Sequence, residues 1–365
     1  MWSSRPYTFD RVVRIFFTMI AVCIVLYFAY ILRHVLLPFI AACLIAYLID
    51  PFIRWNQKIF KIKSHTWGVG VTILETLVVC AILCLILVPI INKEFAQLGS
   101  MLSHYFKYDH PALNGWFAQL HAFVDSHLDM DKIIEDVQRI NITEAVDNLW
   151  HDLTGGLEKI LGILGWCICL VYVIFILLDF DKYKNGVKNY VPDRYKPVVS
   201  EIFGDLSFTM KTYFRKQALI SLIVGVCYGI GFSIVGIPMA VVIGLMNIIL
   251  FMVPYLVYLS LIPVTAMCVF HSMETGGDFW VIWLECIAVY VFVEAFSDLL
   301  LTPRIMGKAL GLNPAIILLS LSIWGSLLGI LGMLIALPAS TIIIKWAKIG
   351  LANWRDKLNS ASPGS

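Results

Sequence analysis

Two long apolar stretches near the C-terminus set the architecture of this chain. Residues 239–270 read MAVVIGLMNIILFMVPYLVYLSLIPVTAMCVF, and residues 309–344 read ALGLNPAIILLSLSIWGSLLGILGMLIALPASTIII, with no Lys, Arg, Asp or Glu in either. As straight helices they would run roughly 48 and 54 Å at about 1.5 Å per residue, whereas the hydrocarbon core of a bilayer is about 30 Å thick. Because Pro and Gly interrupt both stretches, we predict that each doubles back within the membrane as a helical hairpin.

The composition is that of a polytopic membrane protein. Of the 365 residues 60% are hydrophobic and 14% are charged, and the mean hydropathy is +0.84. The net charge is only +2 and no basic residues cluster with aromatic ones, so no nucleic-acid partner is expected. All nine cysteines lie in apolar segments without a CxxC pair, which predicts small buried side chains and neither disulfides nor metal ligands. No metal and no cofactor is expected.

Four ordinary membrane spans are predicted before the two stretches: Ile15 to Leu32, Val35 to Ile53, Trp67 to Ile91 and Ile160 to Leu178. The residues that follow the second and fourth spans are rich in Lys and Arg, which places them, and both termini, in the cytoplasm. The segment between the third and fourth spans is mainly acidic and is predicted to lie outside the cell. Isoleucines at helical spacing within it predict amphipathic helices.

The distribution of charge also predicts how the two hairpins enter the membrane. From Gln217 to Pro303 there is no Lys or Arg, so a span over Gln217 to Val235 leads out and a span over Val281 to Leu301 leads back. The first hairpin should then enter from the outer face. The second, between Lys308 and Lys345, should enter from the cytoplasm. This is an inverted pair of span-plus-re-entrant-hairpin units, although two short full crossings per hairpin stay an alternative.

The predicted organisation has five parts. They are residues 1–91 with spans one to three, residues 92–158 with the extracytoplasmic helices, residues 159–216 with the fourth span and a cytoplasmic segment, residues 217–344 with the transport repeat, and residues 345–365 as a cytoplasmic tail.

Both hairpins begin with residues typical of a helix start. Pro238 and Pro314 suit the first helical position, and Asn313 can cap free backbone N–H groups. The positive end of a half-helix can hold an anionic or carbonyl-rich solute. With the polar or irregular positions inside the hairpins, the candidate substrate-binding residues are Asn247, Pro254, Tyr255, Asn313, Pro314 and Gly325. For the pairs Gly225 with Gly229 and Gly325 with Gly329, close helix packing is the favoured interpretation and a site the alternative.

Few ionisable residues occur in the predicted spans. Carboxylates are costly in a bilayer and usually face the protein interior or water. Glu294 and Asp298 are four residues apart and share a helix face, so with Arg304 they are candidate ion-coupling residues. An equal alternative is that the two acids pair with Arg304 or Lys308 and anchor the helix end.

An enzyme is not predicted. The sequence lacks HExxH, GxSxG, a Walker A loop and a GxGxxG after a strand. His104 and Asp109 have the H-x4-D spacing of acyltransferases, but they lie in the outer segment without a basic phosphate site.

The order of short motifs along the chain resembles that of the AI-2E family of transporters, once labelled UPF0118 or PerM-like. The resemblance is carried by Leu37-Pro38-Phe39, Ala46-Tyr47-Leu48-Ile49-Asp50-Pro51, Gly229-Ile230-Gly231-Phe232, Gly236-Ile237-Pro238, Asn247, Val253-Pro254-Tyr255, Thr302-Pro303-Arg304-Ile305-Met306-Gly307, Asn313-Pro314, Gly329, Gly332 and Leu337-Pro338. Val257-Tyr258 departs from the Gly-Pro of many members. The resemblance implies a multi-pass protein of a bacterial or archaeal inner membrane, assembled as a homo-oligomer with a pentamer as the expected form.

The combined prediction is an all-α polytopic membrane carrier. Within the family, one group exports the furanone signal autoinducer-2 and others resemble sodium or lithium/proton antiporters. We therefore predict export of a small polar, autoinducer-2-like solute by alternating access, with the solute held between the two hairpins. Cation/proton antiport is the alternative function, and a membrane scaffold without cargo is the third.

Overall fold

The computed structural model of the chain describes residues 31–62, 64–107, 168–178, 196–307 and 313–360, together with isolated positions elsewhere. Every regular element in this part of the chain is helical. The helices are α1 (Arg33–Ile59), α2 (His65–Lys107), α3 (Ile168–Leu178), α4 (Lys196–Val235), α5 (Ala240–Leu250), α6 (Leu261–Thr275), α7 (Phe279–Phe296), α8 (Thr302–Ile305) and α9 (Pro314–Ser360). A 3-10 turn at Leu256–Ser260 precedes α6, and a π turn at Ser297–Leu301 joins α7 to α8.

Six helical segments of the described residues are long and apolar enough to cross a membrane. They confirm a multi-pass membrane protein that is all-helical in the part of the chain the structure describes. The second and third predicted spans coincide with α1 and α2, and α3 covers the end of the fourth. The first span, nearly all of the predicted outer helices and the start of the fourth span lie outside the described residues.

The chain divides into two structural units. The central unit comprises Ile49–Gly165 and Lys211–Gly311, and the terminal unit comprises Met1–Leu48, Trp166–Met210 and Leu312–Ser365. The first hairpin belongs to the central unit and the second to the terminal unit.

In the central unit, α5 folds back along α4 in close contact. A Cβ built on Gly244 would lie 2.7 Å from the Cα of Gly229 and 3.0 Å from the carbonyl oxygen of Gly225. Only glycines allow two helix backbones to approach this closely. The interpretation of Gly225 and Gly229 as packing residues is confirmed.

The turn between α4 and α5 differs from the sequence prediction. Gly236 and Met239 adopt positive φ angles of 87° and 61°, and α5 begins only at Ala240. Pro238 therefore lies in the turn and not at the first helical position, so that prediction was wrong. The backbone needs left-handed conformations on both sides of Pro238 to reverse its direction, and a helix cannot start there.

The other arm of the first hairpin runs along α7. The hydroxyl of Thr265 accepts a hydrogen bond from the indole of Trp283 at 3.3 Å, and the sulfur atoms of Cys268 and Cys286 lie 3.4 Å apart. Both contacts join α6 to α7, which follows it after the short turn at Gly276.

Both ends of the first hairpin lie at the same end of the central unit. The ring of His271, near the end of α6, would be 3.5 Å from a Cβ built on Gly236, which immediately follows α4. Between these ends α5 has 11 residues, which at about 1.5 Å per residue is roughly 16 Å, or about half the hydrocarbon core. The segment Pro238 to Phe270 therefore folds back as a hairpin whose first arm is short and whose second arm, within Leu256–Thr275, is long enough to cross a membrane.

The second hairpin in the terminal unit is made by one glycine. Gly329 has φ 64° and ψ −143°, which is not helical, and it divides α9 into two arms. The indole nitrogen of Trp324 donates a hydrogen bond to the Ser340 hydroxyl at 3.2 Å. In a straight helix 16 residues span roughly 24 Å, so this contact requires the chain to reverse at Gly329. The Cα of Gly332 lies against the Trp324 carbonyl, with no room for a side chain.

Candidate functional site

A group of polar side chains is buried inside the central unit, where α4, α5, the 3-10 turn and α7 meet. We call Tyr228, Asn247, Ser260, Tyr290 and Glu294 the polar cluster. The side chains of the first four are 0 to 4% exposed, and Glu294 is half-buried. Sequence reasoning singled out only Asn247 and Glu294. Each of the two tyrosines places a hydroxyl group within an apolar span, and this is the sequence signal that could have identified the rest of the cluster.

Hydrogen bonds and ring contacts connect most of the cluster. The Tyr290 and Ser260 hydroxyls are 2.5 Å apart, and the Ser260 oxygen also donates to the carbonyl of Val257 at 2.6 Å. The Tyr228 hydroxyl donates to a carboxylate oxygen of Glu294 at 3.2 Å. The Tyr228 and Tyr290 ring centroids are 5.0 Å apart. Residues from three separate elements are thus held in a fixed arrangement.

Asn247 is the exception within the cluster. Its side chain is 0% exposed, and it lies near the Tyr290 hydroxyl. Yet neither Nδ2 nor Oδ1 has a hydrogen-bond partner of acceptable geometry in the part of the chain that the structure describes. A buried amide without partners costs about 1–3 kcal/mol. An amide kept under these conditions offers both a donor and an acceptor to a small polar ligand.

The break after α5 brings Ser260 to the cluster. The residues from Phe251 to Tyr255 are not helical, Pro254 supplies no N–H group there, and Tyr255 has a φ of 66°. The side chain of Gln217 on α4 donates to the Phe251 carbonyl at 2.6 Å and so satisfies one of the groups that the break leaves free. Pro254 and Tyr255 shape this break, as predicted, but Tyr255 itself is exposed.

The carboxylate of Glu294 connects the cluster to the surface of the unit. Tyr258 and Asp298 are both exposed, and Tyr258 lies within electrostatic range of Glu294 and Asp298. Polar groups therefore extend from the fully buried Asn247 to the surface of the central unit. Among the described residues neither acid forms an ion pair with Arg304, which is exposed, and Lys308 lies outside these residues.

Next to Glu294 the helix widens. Ser297–Leu301 is a π turn, a feature that often marks functional sites. The Ser297 hydroxyl is 0% exposed and has no hydrogen-bond partner among the described residues. A second unsatisfied buried group thus lies one turn beyond Glu294 on the same helix.

The positive end of α5 is occupied by a side chain of the protein itself. The Glu94 carboxylate on α2 accepts hydrogen bonds from the backbone N–H groups of Val241 at 3.1 Å and Val242 at 3.0 Å. The sequence analysis predicted that a solute binds at this helix end. It did not identify Glu94 as the capping residue, because Glu94 and Val241 are 147 residues apart in sequence. In this structure those two donors are not available to a ligand.

The remaining candidates lie in the terminal unit. The Asn313 side chain accepts a hydrogen bond from the N–H of Ala315 at 3.0 Å, and Pro314 is the first residue of α9. The predicted cap and the predicted first helical position are confirmed, whereas substrate binding by these two residues stays a prediction. A Cβ built on Gly325 would lie 2.9 Å from the methyl carbon of Met333 in the opposite arm, so Gly325 serves close packing of the second hairpin.

The cluster can bind a small polar molecule by hydrogen bonding. It presents hydroxyl groups, one amide and one carboxylate that are buried or half-buried, and hydrogen bonds are electrostatically stronger in a protein interior than in solution. The Asn247 oxygen, the Ser260 hydroxyl and the Glu294 carboxylate are also oxygen donors of the type that small hard cations prefer.

Comparison with known proteins agrees with a transport role. Residues 16–352 match the family described as AI-2E family transporter. YueF of Bacillus subtilis (strain 168), whose name describes a transport protein, is 26% identical over 317 residues, which cover 84% of this chain and 81% of YueF. In Escherichia coli (strain K12), the AI-2 transport protein TqsA is 25% identical over 337 residues, covering 86% of this chain and 85% of TqsA. The permease PerM of the same strain is 23% identical over 350 residues, or 94% of each chain. With a family match over nearly its whole length and six apolar helices, this chain belongs to the AI-2E family of transporters.

Proposed function

We propose that this protein exports a small, uncharged, hydrogen-bonding solute, of which autoinducer-2 is the model compound, and that the solute binds at the polar cluster. The observation that carries the proposal is the sealed Asn247 amide, whose donor and acceptor are both unsatisfied. A furanone with hydroxyl groups would satisfy both. The relative named AI-2 transport protein supports the choice of model compound.

The two hairpins would provide the movement. A hairpin whose ends lie at one end of its unit fits a re-entrant segment, and the reversal at Gly329 gives the second hairpin the same form. We propose that they enter from opposite faces of the inner membrane, with both termini in the cytoplasm, and that the carrier works by alternating access. We also propose that the protein assembles as a homo-oligomer, as the family resemblance predicts, in which each subunit carries its own solute site.

The test is efflux from proteoliposomes loaded with autoinducer-2, comparing the parent protein with Asn247→Ala. The expected result is a rise in KM of about tenfold or more, because an amide that makes two hydrogen bonds to the solute contributes about 1–3 kcal/mol. Asn56→Ala is the matched control: Asn56 is also fully buried in the central unit, but its Nδ2 donates to Thr72 at 3.1 Å. Equal KM values for the two variants would remove Asn247 from the binding site.

A second candidate function is sodium or lithium/proton antiport. It is favoured by one observation, the half-buried Glu294 carboxylate, which can bind a cation or a proton, with Asp298 within electrostatic range. If this function is correct, Glu294→Gln together with Asp298→Asn should abolish cation-driven proton movement in vesicles. The same double variant should only weaken efflux of an uncharged solute.

The two assays together separate the functions. Efflux without cation/proton exchange supports the exporter, and exchange without efflux supports the antiporter. Parent protein that moves neither solute nor ion, with or without a pH gradient, would contradict both and favour a scaffold.

A further inference from the structure

A carboxylate from α2 holds the start of α5. Each oxygen of Glu94 accepts one hydrogen bond, from Val241 and Val242, so the contact is bidentate. These residues are the second and third of α5, whose N–H groups have no partner within the helix. A negative charge at this point also interacts favourably with the helix dipole.

The turn before α5 provides no cap of its own. Met239 is at the N-cap position, has a left-handed conformation and makes no side-chain hydrogen bond to the helix. Ser, Thr, Asp or Asn would normally supply that bond from within the turn. The helix start therefore depends on a residue of another helix.

The opposite end of α5 is also held from outside. Gln217 donates to the Phe251 carbonyl at 2.6 Å, and the Ser221 hydroxyl lies 3.3 Å from the sulfur of Met252. Between the two attachments lies Asn247, fully buried and without partners. A short helix fixed at both ends holds this amide at one depth and one rotation.

We propose that Glu94 is a positioning residue that clamps α5 to α2 throughout the transport cycle, so that Asn247 stays in the polar cluster. This inference rests on the proposed function. It assigns α2, which lies outside the predicted transport repeat of residues 217–344, to the part of the protein that carries the solute site. α2 and α5 both belong to the central unit, which is consistent with their moving together.

The clamp itself can be tested without transport. Amide hydrogen exchange in lipid nanodiscs should show Val241 and Val242 exchanging about tenfold or more faster in Glu94→Ala than in the parent, as expected for loss of a helix cap. Glu94→Gln, with nearly the same shape and one remaining acceptor oxygen, should give an intermediate rate and covers the case that Glu94→Ala does not fold. Glu274→Ala, which removes an exposed carboxylate of α6, is the control and should leave both amides unchanged. Unchanged exchange in Glu94→Ala and Glu94→Gln would overturn the clamp.

The positioning role is tested by replacing the clamp covalently. In a chain without the nine native cysteines, Glu94→Cys and Val241→Cys are introduced together and joined by a short bis-methanethiosulfonate reagent. Before joining, the KM for autoinducer-2 efflux should be raised about tenfold at a nearly unchanged maximal rate, because the site is intact but misplaced. Joining should restore the parental KM, whereas a purely structural role would change the amount of folded protein and not the KM.

The outcomes separate this inference from the function on which it rests. If joining stops efflux in protein that transported before, the contact must open during the cycle and a permanent clamp is wrong. If the parent moves no solute while the exchange result holds, the proposed function fails and the clamp remains as a structural fact.

Discussion

Replacing Asn247 by Ala should stabilise the protein while it weakens transport. The side chain is 0% exposed and neither of its polar atoms has a partner among the described residues. Removing an unsatisfied buried amide relieves about 1–3 kcal/mol. Ala also has a higher helix propensity than Asn by about 0.6 kcal/mol, and position 247 is near the middle of α5.

One smaller effect opposes this gain. The amide group leaves a cavity of about 25 Å³, which at about 24 cal/mol per Å³ costs about 0.6 kcal/mol. The gain in helix propensity and the cost of the cavity cancel, so the net expectation is an increase of about 1–3 kcal/mol in the free energy of unfolding. Asn56→Ala should have the opposite sign, because it removes two hydrogen bonds of Nδ2, one to the Thr72 hydroxyl and one to the Glu75 carboxylate. A hydrogen bond to a charged group contributes about 1.5–3 kcal/mol, which outweighs the relief of the Asn56 oxygen that has no partner.

The assay is denaturant unfolding of both variants in the same micelles, followed by tryptophan fluorescence. Opposite shifts of the two midpoints at unchanged slope would support the argument. Equal losses of stability would refute it, since Asn247 would then be making hydrogen bonds that stabilise the fold. A gain in stability with a loss of transport is the pattern expected when a polar group is kept for function at the expense of stability.

Two further predictions concern the glycines that form the hairpins. Gly244→Ala should lower the free energy of unfolding by about 1–3 kcal/mol, because the new Cβ would lie 2.7 Å from backbone of Gly229. Gly70→Ala, where nothing lies within 4 Å, should be neutral or stabilising, and equal losses in chemical unfolding would contradict the close approach of α4 and α5. Gly329→Ala should cost about 1–3 kcal/mol, because its φ of 64° with ψ of −143° is unfavourable for a residue with a Cβ. Gly350→Ala, in open helix, is its control, and similar unfolding midpoints for the two would show that α9 does not reverse at Gly329.

The general architecture could be predicted because it depends on local sequence. Apolar runs of sufficient length predict the spans, and the break at Pro254 and the cap by Asn313 follow from residues next to them. The paired spacing of Gly225 and Gly229 indicates close packing for the same reason. Each of these features is determined within a few residues of the position where it is seen.

The details of the site could not be predicted in this way. Glu94 caps a helix 147 residues away, and the hydroxyls of Tyr228 and Ser260 reach the cluster only after three elements have packed. Pro238 was placed wrongly because the conformation of Met239, an unfavourable left-handed one for this residue, depends on tertiary contacts and not on local preference. Long-range partners leave no periodic signal in one sequence.

The two hairpins, although a proline lies near the start of each, are stabilised in different ways. The second is held by its own residues, since Gly329 makes the reversal and Trp324 bonds to Ser340 across the arms. The first is held by its neighbours, through Glu94 at one end of α5 and Gln217 at the other. A hairpin that depends on other helices for both attachments must move with them or lose its shape. The candidate solute site lies on the first hairpin, so in the proposed alternating-access cycle the moving part would include α2 and α4. Any inverted symmetry in how the hairpins enter the membrane would not extend to how they are supported.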